Sequence, residues 1–152
     1  MIPLLFSLKI LHLTAVAVWV GGSLTAPRDV RRTLALGQPH LSQLLPRLRG
    51  TAQLMNQSAL ATVLTGAALI AVDGGPLRIP HRIHLGLFLT FLAFVAGRWL
   101  IRPVLGELAM LSKGAVTPEQ SKQIYAKFIA VNSVEHALRL AVLVLMVYPF
   151  SF

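Results

Sequence analysis

Four stretches of this chain, Ile2–Ala26, Ala52–Val72, Ile83–Ile101 and Phe128–Phe150, are long and apolar. Each approaches the roughly 20 residues that a helix needs to cross the hydrocarbon core of a bilayer. Within that core every backbone N–H and C=O must be satisfied by the protein itself, which leaves helices and closed barrels as spanning structures. The expected fold is all-α: an integral membrane four-helix bundle, one domain over residues 1–152, with both termini on the same side. Hydrophobic residues make up 55% of the chain and the mean hydropathy is +0.71, more than a soluble core of this size requires. The first run lacks the basic flank and small-residue cleavage site of a signal peptide and is too long for one, so it is expected to be a retained first helix.

Helix-breaking residues fall between these runs. Pro27 follows the first, Asp73-Gly74-Gly75-Pro76 the second and Pro103 the third, while Thr117-Pro118-Glu119 is a helix-start signal ahead of the fourth. The second run is the least regular, since Gln53, Asn56, Gln57 and Ser58 crowd its start and must face the bundle interior or a headgroup. The net charge of +9 does not form the stripe of a nucleic-acid binder, so no nucleic-acid partner is expected. Instead, Arg28, Arg31, Arg32, Arg47 and Arg49 lie in the first loop and Arg102, Lys113, Lys122 and Lys127 in the third, against Arg78 and Arg82 in the second. The positive-inside rule makes the first and third loops cytoplasmic and puts both termini outside. The expected location is the bacterial inner (cytoplasmic) membrane, crossed several times. In the long first loop, Leu34, Leu41, Leu44, Leu45 and Leu48 interleave with the basic residues. Part of it is either an amphipathic helix lying on the membrane or a solvated basic loop.

Ionisable groups inside such spans cost a few kcal/mol each and usually have a task. Lys9, His12, Glu135, His136 and Arg139 all stand within the runs. Counting 1.5 Å per residue from the basic flanks, His12 and His84 lie about 24 Å from the cytoplasmic end and His136 about 14 Å from it. Counting from the outer end instead brings His136 closer to the level of His12, so the pairing stays open. Two imidazoles on different helices are what a six-coordinate haem b requires, with iron held between them. On this reading His12, His136 and His84 are the candidate metal ligands; the alternatives are interhelical hydrogen bonds or, for His84, an interfacial position. His40 and His81 read as solvated and headgroup residues. Glu135 and Arg139 are four apart on one helix and can form an ion pair. Alternatively, Arg139 with Lys9 or Arg82 binds porphyrin carboxylates, while Glu135 tunes His136 or relays a proton. Asn132, one turn before His136, offers it a hydrogen bond or simply joins helices. Trp19 offers a flat face to a macrocycle, or packing. Cysteine is absent, which removes disulfides and thiolate metal sites.

Lys9-Ile10-Leu11-His12, followed by Trp19-Val20-Gly21-Gly22 and Pro27-Arg28, resembles the first-helix pattern of the HemJ family, four-helix membrane protoporphyrinogen oxidases. Gly97-Arg98 is similar to that family's third-helix Gly-Arg, and Asn132 with the apolar run to Pro149-Phe150 is similar to its last helix. The resemblance implies that His12 is the haem-associated histidine and that Arg98 belongs to the cofactor site. It also implies an oxidoreductase that takes electrons from a tetrapyrrole and passes them to a quinone. The sequence departs from the pattern at three places. Arg82 stands nearest to an expected lysine, Arg31-Arg32-Thr33 replaces a second histidine, and Asn132-Ser133-Val134-Glu135 replaces Asn-Glu-x-Pro. Similar first helices occur in CopD-type copper-resistance proteins, but Met55, Met110 and Met146 form no Met-x-Met cluster for copper(I). A non-catalytic accessory subunit is the remaining alternative. The partners expected are a tetrapyrrole, a quinone, the lipid bilayer and, in a homo-oligomer, further copies of the chain.

Overall fold

Helices account for nearly all of the computed structural model, which describes residues 2–72, 74–75, 80–111, 113–114 and 117–147. Five helices follow one another: α1 (Ile2–Gly21), α2 (Ala26–Leu36), α3 (His40–Val72), α4 (His81–Leu111) and α5 (Pro118–Val147). Four helical stretches are long and apolar enough to cross a membrane, so this is a multi-pass membrane protein with an all-α bundle. Large apolar side chains such as Phe6, Leu13, Leu64, Phe88 and Phe91 are each more than half exposed. A bilayer is the solvent such a surface requires.

α1 packs chiefly on α3, and α4 chiefly on α5, so the bundle is two antiparallel hairpins with thinner contact between them. Gly22 permits the close approach in the first hairpin, since a Cβ there would stand 2.9 Å from the Val18 carbonyl oxygen and 3.0 Å from Met55 Cγ. Two of the long helices exceed the thickness of a hydrocarbon core. α3 has 33 residues and α4 has 31, or about 45–50 Å at 1.5 Å per residue against a core of about 30 Å.

Those extensions correct three expectations. The residues between the first two spans are not a solvated loop; an amphipathic helix is formed there, the other reading of this segment. They form α2 and the first turns of α3, and Val30, Leu41, Leu44 and Leu48 join Val104, Leu108, Ile124 and Phe128 in one buried cluster. The apolar stripe of α2 faces protein. Arg47 holds it there, donating from Nε and Nη2 to the two carboxylate oxygens of Asp29 at 3.1 and 3.0 Å. Pro103 does not end the third span, for α4 runs through it to Leu111, as α3 runs through Pro46. A proline inside a helix costs about 3 kcal/mol, and burial of Val104 beside Pro103 and of Leu108 in the next turn offsets it. The helix-start signal works as expected, although α5 begins ten residues before the apolar run. Thr117 and Gln120 form a reciprocal capping box, each backbone N–H donating to the other's side-chain oxygen, at 3.1 and 3.2 Å. Asp73, Pro76, Arg78, Pro149-Phe150 and the side chain of Arg82 lie outside the described residues.

Candidate functional site

Where the two hairpins meet, the basic half of the bundle forms a partly open cavity of about 220 Å³. Its wall includes Trp19 from α1, Met55 and Asn56 from α3, Gly97, Arg98 and Arg102 from α4, and Asn132, Glu135 and Arg139 from α5. Thus Trp19, Arg98, Asn132, Glu135 and Arg139, singled out separately along the sequence, line one space.

The α5 pair is the most constrained part of the wall. Arg139 is 4% exposed and Glu135 is 8% exposed, and Arg139 Nη2 donates to Glu135 Oε2 at 3.0 Å. The ion pair expected from the i, i+4 spacing is therefore formed. Glu135 is seated against the backbone of α4 at Gly97, where a Cβ would collide with its Oε1. The Arg139 guanidinium lies 5.8 Å from the centre of the Trp19 ring, within range of a cation–π attraction. Its Nε and Nη1 have no hydrogen-bond partner among the described residues. A guanidinium carries five N–H donors, and each buried donor left unpaired costs about 1–3 kcal/mol. Arg98 and Arg102, both exposed, stand on the α4 side of the wall. Counting side chains, the wall holds three arginines against one glutamate.

His12 lies elsewhere. Its Nδ1 is 2.9 Å from Thr65 Oγ1 on α3, and its ring edge packs over Gly66, whose added Cβ would be 3.3 Å from Cε1. The Thr65 hydroxyl is also within reach of the Ala61 and Thr62 carbonyls, at 2.6 and 3.2 Å; with its proton on either of these, its oxygen accepts and His12 donates from Nδ1–H. In the neutral imidazole this leaves Nε2 as the unprotonated nitrogen, the arrangement usual in histidines that bind metal through Nε2.

His136 does not share that level. Its Nδ1 is 3.2 Å from Ser23 Oγ, and Ser23 is eleven residues beyond His12, or about 16 Å along a helical axis. The described contacts therefore do not bring His12 and His136 together as opposed ligands within one chain. Asn132 forms no hydrogen bond to His136 among the described residues. His84 is exposed in the first turn of α4, with its ring 6.3 Å from that of His81. Lys9 is exposed on α1, one residue short of three turns from Trp19, and so away from the cavity. No group of three or more His, Cys, Asp or Glu side chains able to hold a metal occurs among the described residues.

Ser23, Thr65, Asn56 and Arg102 were not singled out as site residues from the sequence. Thr65 and Ser23 act across helices, and nothing local marks them. Arg102 was read as a flanking charge; its place four residues after Arg98, on the same side of α4, was the available signal. No family model, curated protein or solved structure matches the chain.

Proposed function

We propose that the chain is a tetrapyrrole-binding redox protein of the bacterial cytoplasmic membrane, its central cavity receiving the carboxylate edge of a haem b or of a porphyrinogen. The observation that carries this reading is the unpartnered Nε and Nη1 of Arg139, buried in a wall that also contains Arg98, Arg102, Asn132 and Trp19. A carboxylate is the acceptor that a guanidinium edge fits with two parallel hydrogen bonds. Both nitrogens are covered in this conformation, so a ligand engages them by turning the guanidinium from Trp19 toward the cavity. At about 220 Å³ the space is smaller than the roughly 300–1,000 Å³ of pockets that enclose a whole drug-sized ligand. It suits the carboxylate-bearing edge, with the apolar ring extending between the hairpins or into lipid.

The fit to haem rests on one histidine. His12 presents Nε2 with its other nitrogen fixed by Thr65, and it stands two turns above Trp19 on α1, on nearly the same stripe. His136 and His84 do not oppose it in the described contacts, so a second axial ligand from the same chain is not part of the proposal. A bound haem would supply one-electron chemistry to a quinone partner. The protein's own residues would fix carboxylates through Arg139 and Arg98, keep Arg139 neutralised by Glu135 in the absence of ligand, and exclude water with Trp19.

The test is an absorbance titration of the purified full chain in mild detergent with haemin and, separately, with protoporphyrin IX. Wild type is expected to bind both. Arg139→Gln is expected to weaken binding about tenfold to a hundredfold, the equivalent of about 1.5–3 kcal/mol for a charge-assisted hydrogen bond. Arg98→Gln is expected to weaken it less, because Arg98 is exposed. His12→Ala is expected to change the haem spectrum while leaving protoporphyrin binding intact. Absence of binding by wild type, or equal binding by wild type and Arg139→Gln with unchanged helical circular dichroism, overturns the reading.

A further inference from the structure

A second and larger cavity, about 650 Å³, opens at the basic end between the last turn of α2 and the first turns of α5. None of its lining residues belongs to the central cavity. Its charged side chains are Arg31 and Lys122; Ser121 and Tyr125 add hydroxyls, and Leu34 and Leu41 form an apolar wall. No acidic residue lines it among the described residues. Neighbouring cations are engaged, Arg47 with Asp29 and Lys127 with Glu107. Arg31 and Lys122, by contrast, make no ion pair or hydrogen bond among the described residues, and Glu119, one turn before Lys122, is not within ion-pair distance of it. The cavity therefore concentrates two free positive charges in a concave, partly apolar setting.

Its depth identifies the surroundings. The exposed Lys127–Glu107 pair cannot lie in hydrocarbon, so the hydrocarbon boundary is at or above it. Lys122 is five residues below Lys127 on α5, or about 7–8 Å. A bilayer of 40–45 Å with a core of about 30 Å has a headgroup layer of about 5–8 Å on each side. Lys122, and Arg31 across the same cavity, thus stand at the aqueous edge of the headgroup layer, on the side that the positive-inside rule makes cytoplasmic. Basic pockets between helices on that side suit anionic lipid headgroups.

We propose that this cavity binds the phosphate-bearing headgroup of an anionic phospholipid from the cytoplasmic leaflet. Arg31 and Lys122 hold the phosphate from two sides, Ser121 and Tyr125 donate to its oxygens or to the glycerol, and Leu34 and Leu41 receive the apolar end of the glycerol backbone. One lipid then ties α2 to α5 at the membrane surface.

Native mass spectrometry of the full chain, offered equimolar phosphatidylglycerol and phosphatidylcholine in neutral detergent, tests the proposal. Wild type is expected to retain phosphatidylglycerol in preference. Arg31→Gln and Lys122→Gln are each expected to lower that preference about fivefold, the usual effect of one basic residue at an anionic surface, and the double variant to abolish it. Arg49→Gln, an exposed charge at the same end outside the cavity, is expected to leave the preference unchanged. All these side chains are exposed, and unchanged helical circular dichroism confirms folding. Equal retention of the two lipids by wild type overturns the proposal, as does a loss with Arg49→Gln equal to that with Lys122→Gln. Displacement of bound phosphatidylglycerol by glycerol phosphate, but not by chloride at the same ionic strength, assigns the cavity to a soluble phosphate and also overturns it.

Discussion

On the α1/α3 hairpin, His12 makes a neutral hydrogen bond with Thr65, whose hydroxyl also has the Ala61 and Thr62 carbonyls as acceptors. On the α4/α5 hairpin, Glu135 and Arg139 are matched to each other at 3.0 Å, yet two nitrogens of the guanidinium remain without a partner. Both hairpins carry polar groups through apolar helices, but they close their accounts differently. The first arrangement satisfies every donor it presents and leaves an acceptor nitrogen. The second retains a buried cation with donor capacity beside a cavity. An excess of donors at a cavity wall implies an anionic or polar occupant, whereas a satisfied neutral bond joins two helices and orients a ring. The difference is why the carboxylate end of a ligand is proposed for the second hairpin and any axial nitrogen for the first.

The largest effect is expected from breaking the charged side of the comparison. Glu135→Ala leaves the Arg139 guanidinium buried and unpaired, and should cost about 3–5 kcal/mol, read as a lowered midpoint in detergent unfolding. Replacing both partners with apolar residues of similar volume, Glu135→Leu with Arg139→Met, should restore stability to wild type or above, because neither charge then needs desolvation. Tetrapyrrole binding should still be weakened in the double variant, which lacks the Arg139 guanidinium. A double variant as unstable as the single one would mean that the ion pair itself holds α5 in place, and the contrast between a structural hairpin and a binding hairpin would fail.

An intermediate effect is expected at Gly97. The carboxylate of Glu135 occupies the space a Cβ would need there, with Cδ only 3.1 Å away. Gly97→Ala should therefore displace Glu135 and disturb its pair, at a cost of about 1–3 kcal/mol for overpacking. In a Glu135→Ala background the same substitution should cost little, because the obstructing group is gone. Non-additivity of this kind, measured by a double-mutant cycle, distinguishes a seat for the carboxylate from a general need for a small residue on α4.

What the sequence made legible follows the range of each interaction. The spans and the all-α class depend on run length against bilayer thickness, and the Glu135–Arg139 pair and the Thr117 cap depend on neighbours three or four residues away. All of these were readable. The extension of α3 back to His40 and of α4 past Pro103 was not, because local propensity opposes it and burial in the basic-end cluster outweighs propensity. The partner of His12 stayed open in the sequence for another reason. Depth counted from flanking charges is loose by several residues, since long basic side chains reach the interface from different levels. The contact His12 does make is with a residue 53 positions away, and only the register of two antiparallel helices brings them together.

The smallest effect is expected on the neutral side. Thr65→Val removes the hydroxyl that accepts from His12 while nearly preserving shape. Interhelical hydrogen bonds of this kind in membranes contribute on average about 0.6 kcal/mol, so the unfolding midpoint should barely move. The informative readout is the tautomer. In wild-type protein labelled with ¹⁵N-histidine, His12 should carry its proton on Nδ1, because the Thr65 oxygen is available only as an acceptor once its own proton goes to Ala61 or Thr62. In Thr65→Val that preference should weaken toward the mixture found in an unconstrained imidazole, and any haem spectrum should change through the loosened ring orientation rather than through loss of the ligand. His12 protonated on Nε2 in wild type would remove it as an axial donor in the resting protein. The first hairpin would then be purely structural, and the cavity beside Arg139 would be left to account for ligand binding alone.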